Sequence, residues 1–116
     1  MTPGGDGSLR RPSLAGSRGI LHRVALSRKG VRIERIVSTG QSTPADKPYN
    51  QEYDEWVLLV SGSAGLWIEG EGERDLRPGD YLLIPAHRSH RVTWTAKGEP
   101  TVWVAVHITD GNPLRR

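Results

Sequence analysis

The sequence predicts an all-β protein, a small sandwich or barrel of about eight short strands. Three observations carry this. Short runs rich in Val, Ile, Leu and Trp follow one another closely. Gly, Pro, Asn, Asp and Ser separate them. No segment keeps a 3.6-residue apolar period for three turns, so no helix is expected. The chain has 116 residues, which fits one domain. Apolar content is 35% and Phe is absent, so the core must come from Val, Leu, Ile and Trp. So modest a core favours compact β packing or an oligomer that shares apolar surface.

The elements follow in order. Residues 1–20 are rich in Gly, Pro, Ser and Arg and read as a disordered basic leader, leaving 21–116 as a single domain. "HRVALS" and "VRIERIVS" flank "RKG" as a hairpin. "TGQSTPADKP" is a ten-residue loop. "EWVLLVS" and "AGLWIEG" are strands joined through Gly62 and Ser63. "EGEGE" is a turn and "RDL" a short strand. "RPGD" places Pro78 and Gly79 where a tight turn wants them. "YLLIP", "HRVTWT" and "TVWVAVHI" complete the series.

Charge and composition exclude several classes. Without cysteine there are no disulfides, thiolate metal sites or cysteine nucleophiles. No apolar run approaches the roughly 18 residues of a membrane span, and the N-terminus lacks the apolar core of a secretory signal. A cytoplasmic protein is expected. The net charge of +3 is unevenly spread. Residues 1–35 hold eight Lys/Arg and two acids; residues 36–116 hold eight Lys/Arg and eleven acids. The basic part lacks the aromatic or repeated pattern of a nucleic-acid site, so it reads as a solvated tail.

Strand phase singles out polar residues in apolar company. His90 alternates with Val92 and Trp94 and so points inward. Glu55 shares a face with Val57 and Leu59, and backwards with Tyr53, Gln51 and Tyr49. That face describes a cavity, polar at its mouth and apolar deeper in. A buried carboxylate must be paired, hydrogen-bonded or metal-bound, and a histidine would meet that need. His107 is in phase with Trp103 and Ala105, but both faces of its strand are apolar, so its side stays open. His22 begins the first strand and reads as exposed. Trp94 and Trp103 read as core or as a platform lining the pocket. No Lys or Arg falls on the pocket face, and Arg88 is the nearest cation, which favours a neutral ligand.

Here the chain resembles the cupin superfamily, small jelly-roll barrels (double-stranded β-helices), over about residues 31–108. Cupins carry the motifs G-x5-H-x-H-x3,4-E-x6-G and G-x5-P-x-G-x2-H-x3-N. "EWVLLVSG" supplies Glu55 and Gly62 of the first; "GDYLLIPAHRSH" supplies Gly79, Pro85 and His90 of the second. Tyr49 and Gln51 stand where the paired histidines of the first motif would be, His87 replaces the glycine and Trp94 the asparagine. His87 is expected at the rim, on a backbone that need not be left-handed. The resemblance implies a divalent metal site. Glu55 and His90 are the matched ligands, Gln51 holds a ligand position, and His107 would add a third good ligand if it faces inward. Zinc, manganese or iron would suit these donors.

The functional expectation is a cupin that binds a small polar metabolite in its central pocket. As an enzyme it would use Glu55, His90 and Tyr49, with Tyr53, His87, Trp94 and Trp103 around the ligand. A sugar or sugar-acid isomerase or epimerase is one form of this; a non-catalytic sensor without metal is another. Outward-facing Trp56, Leu58 and Val60 predict a homodimer.

Overall fold

The computed structural model describes residues 20–109. The leader expected over 1–20 therefore lies, save for Ile20, outside the described residues. Eight strands follow: β1 Leu21–Arg28, β2 Val31–Ser38, β3 Asp54–Ser61, β4 Ala64–Ile68, β5 Gly72–Leu76, β6 Tyr81–Ile84, β7 His90–Thr95 and β8 Thr101–Ile108. They form a five-stranded sheet in the order β1-β2-β8-β3-β6 and a three-stranded sheet in the order β5-β4-β7. All the pairings are antiparallel. Among the described residues no helix is long and apolar enough to cross a membrane.

The core lies between the sheets and follows from period-2 alternation. Val57 and Leu59 of β3 face Leu66 and Ile68 of β4, with Leu82, Ile84, Trp103 and Ala105 completing the buried cluster. Gly62 turns β3 into β4. Its φ is +86°, and a Cβ there would strike the backbone of Pro100 and Thr101. Only glycine suits both conditions.

Two features of the sheets position the site. Arg32 of β2 lies directly opposite His107 of β8, and His107 directly opposite Glu55 of β3. Three neighbouring strands thus present one row of polar side chains to the interior. The loop after β2 is stitched across β7. Thr43 N–H donates to the Val92 carbonyl, and Tyr49 and His90 exchange backbone hydrogen bonds at 2.8 and 2.9 Å. This brings Tyr49 and Gln51 over the gap between the sheets.

Candidate functional site

A cavity of about 800 Å3 opens between the sheets. Val57, Leu66, Ile84, Val92 and Trp103 line its apolar depth, while Tyr49, Gln51, Tyr53, Glu55, His90 and His107 form its polar wall. The gradient expected along the Glu55 face is present.

Glu55 is at the centre, and its side chain is nearly inaccessible. Its Oε2 lies 3.3 Å from His107 Nε2, and its Oε1 lies 3.7 Å from His90 Nε2. The burial pattern of β8 settles the open phase: Trp103, Ala105 and His107 face inward. Tyr49 stacks on the His90 ring at 5.8 Å, and Tyr53 leans on His107 at 5.0 Å.

The hydrogen-bond partners give the two Nδ1 atoms opposite roles. His90 Nδ1 sits 3.0 Å from the Arg88 carbonyl, which can only accept. Nδ1 therefore carries a proton and donates. His107 Nδ1 sits 2.8 Å from a terminal nitrogen of Arg32, which can only donate. That Nδ1 must accept, so the proton of His107 is on Nε2 and is donated to Glu55.

Arg32 corrects an expectation: a cation does stand on the pocket face. It lines the cavity, whereas Arg88 pairs with Glu71 at 3.3 Å and lies outside the lining. Arg32 Nε is 2.9 Å from Glu34 Oε2, an ion pair without hydrogen-bond geometry. Exposed His22 reaches the same carboxylate at 3.5 Å and so helps to form the mouth. The His22 hydrogen bond holds the Glu34 carboxyl below the usual carboxylate range against the cost of burial, and the nearby His107 and Arg32 add to the lowering. Ile20, assigned to the leader by composition, also lines the cavity.

Two expected pocket residues lie elsewhere. Trp94 is 37% exposed and is not part of the lining. A register shift sets Val92 opposite Leu66 but Trp94 opposite Gly65, so a bulge at Thr93 reverses the alternation. Thr95 turns inward instead, and Trp94 covers Gly65, where any Cβ would collide with the indole. His87 is exposed and also outside the lining. Its backbone is left-handed after all, with φ of 64°. The loop keeps the conformation natural to glycine, because the His87 N–H donates to the Gln51 carbonyl at 2.6 Å.

A divalent metal does not fit the residues present. A ligating histidine normally donates its other N–H to an acceptor. His90 does so; His107, facing a guanidinium, cannot. Its Nε2 carries a proton where a metal needs a lone pair. Glu55, His90 and the neutral carbonyl of Gln51 remain, short of three good ligands. Among the described residues no group of three or more His, Cys, Asp or Glu could hold a metal ion. Gln51 Oε1 is buried in the cavity wall without a hydrogen-bond partner.

The chain belongs to the cupin family: the Cupin domain profile matches residues 35–107. It is 52% identical to a Ralstonia eutropha protein of known structure, provisionally assigned as a mannose-6-phosphate isomerase. That match covers 81% of this chain and 88% of the other, with a TM-score of 0.76. KdgF from a Halomonas species shares the fold at 20% identity, over 84% of this chain and 87% of that one, with a TM-score of 0.69. Quercetin 2,3-dioxygenase of Bacillus subtilis is 29% identical over 73 residues. Those residues are 60% of this chain and only 21% of that protein's length.

Proposed function

We propose that the cavity binds a small, uncharged, hydroxyl-rich molecule and that Glu55 and His90 act on it as a base and acid pair. The observation that carries this is Glu55, held on one oxygen by the His107 N–H and faced on the other by His90 Nε2 at 3.7 Å. Glu55 and the unpartnered Gln51 Oε1 are acceptors, so the matching ligand brings donors. Doubly protonated, His90 directs an N–H at the cavity; neutral, it directs a lone pair. With an open-chain aldose, Glu55 would take the proton from the carbon next to the carbonyl while His90 gives one to the carbonyl oxygen, forming an enediol. Reversal at the neighbouring carbon completes an isomerisation, and geometry alone contributes a large part of such catalysis.

The Ralstonia relative raises mannose 6-phosphate as a ligand, but the charges speak for the unphosphorylated sugar. Among the described residues Arg32 is the one Lys or Arg in the lining, and it is already engaged by Glu34 and His107. Glu34 and Glu55 balance Arg32 and the proton-donating form of His90. A phosphate would find no unengaged Lys or Arg in that lining to receive it.

The test is deuterium wash-in from D2O at the carbon next to the carbonyl of a neutral aldose, followed by NMR. Wild type is expected to exchange and Glu55→Gln to lose exchange while still binding. Binding without exchange in wild type would contradict the acid–base assignment and favour the sensor reading.

A second copy of the chain is the proposed partner. Trp56, Leu58 and Val60 of β3 share the outer face with Tyr81 and Leu83 of β6, where Tyr81 is 65% exposed and its ring tilts against Trp56 at 5.6 Å. An outward apolar patch of this kind marks an interface.

A further inference from the structure

We propose that Arg32 determines the metal preference of this site, keeping it free of a divalent cation by locking His107 in the tautomer that cannot ligate one. The reading of Glu55 as the centre of the cavity underlies this; the identity of the ligand does not.

The argument is geometric. His107, Glu55 and His90 come from three strands, and both imidazole Nε2 atoms face the two oxygens of one carboxylate. Two histidines and a carboxylate are the right donors in kind, yet as placed they form no group that could hold a metal ion. One bond keeps His107 from adjusting to become a ligand. Arg32 lies opposite His107 in the β2–β8 ladder and donates to Nδ1 at 2.8 Å. Turning His107 into a ligand requires moving its proton from Nε2 to Nδ1. That would set an N–H against the guanidinium N–H and leave both without an acceptor. The other groups facing Arg32 and His107 hold this arrangement. Glu34 fixes Arg32 Nε at 2.9 Å, and Tyr53 packs on the His107 ring. Arg32 also brings a fixed positive charge into the row that contains Glu55, where a metal would otherwise bring it.

Metal titration of the full-length chain after chelator treatment tests this, with cobalt(II) absorption and zinc content by mass spectrometry as readouts. Wild type is expected to take up no stoichiometric metal. Arg32→Met lets His107 carry its proton on Nδ1 and present a lone pair on Nε2, and should tighten cobalt(II) and zinc(II) binding by about 10- to 100-fold, the usual weight of such outer-shell partners. Adding His107→Asn should abolish that gain. Stoichiometric metal in wild type, or equal affinity in wild type and Arg32→Met, would overturn the proposal. If Arg32→Met does not fold, the 15N spectrum of wild-type histidines decides. A proton on His107 Nε2 with a bare Nδ1 supports the lock, and a proton on Nδ1 refutes it. Failure of sugar binding leaves both readouts unaffected, so the two proposals fail separately.

Discussion

His107 Nδ1 accepts a hydrogen bond from Arg32 at 2.8 Å, and that contact decides which nitrogen of His107 addresses Glu55. With a proton on Nε2, His107 stabilises the buried carboxylate by donation. The site's electrostatics follow from this single orientation.

The first prediction concerns that donation. His107→Asn leaves Glu55 buried without its donor and is expected to destabilise the fold by on the order of 2 kcal/mol. Glu55→Gln should cost less, because an amide oxygen can accept the same bond and no charge is left buried. Urea denaturation of both variants checks the order; a larger loss in Glu55→Gln would contradict it.

Stability should depend on acid through Glu34. Its carboxyl is held below the usual range in the folded chain, first by the His22 hydrogen bond. A depressed carboxyl contributes stability that is present above its unfolded pKa and is lost as pH falls through its folded pKa. Glu34→Gln should therefore lower the melting temperature at neutral pH and converge with wild type in strong acid. Parallel curves across the acid range would refute this.

Gly62→Ala is expected to cost at least about 1–3 kcal/mol from the left-handed backbone alone, with the collision against Thr101 added. Gly79→Ala has a φ of 95° but nothing within 4 Å of the new Cβ, so it should cost less. Thermal melts of the pair separate strain from collision.

Leu83→Glu on the outer face of β6 should convert a dimer into a monomer by light scattering, with the far-ultraviolet dichroism unchanged. A wild-type monomer at high concentration would remove the partner proposal.

Much of the fold and half of the site are legible in the sequence, for physical reasons. The strands show because each alternates or is bounded by turn formers, although β5 begins two residues before the "RDL" that marks it. Glu55 and His90 show because a charged or polar residue in phase with Val and Leu must meet a buried partner or a cavity. Arg32 does not show. On β2 the more apolar face, with Val31, Ile33 and Val37, looks outward, while Arg32 and Glu34 line the cavity. Inner-face logic inverts wherever the interior is a polar cavity and the exterior is apolar. Trp94 departs from its phase because a bulge leaves no mark in a period of two. The side taken by His107 depends on the β3–β8 register, which strand phase alone does not contain. An Arg-x-Glu pair on one strand face is the available signal for Arg32 and Glu34.

Calorimetric titration of the full-length protein with mannose and with mannose 6-phosphate tests the central claim most directly. A neutral, donor-rich ligand in a Glu55-centred cavity predicts that mannose binds, that Glu55→Ala weakens it, and that the phosphate ester binds more weakly. Tighter binding of mannose 6-phosphate, or mannose binding indifferent to Glu55→Ala, would contradict the account.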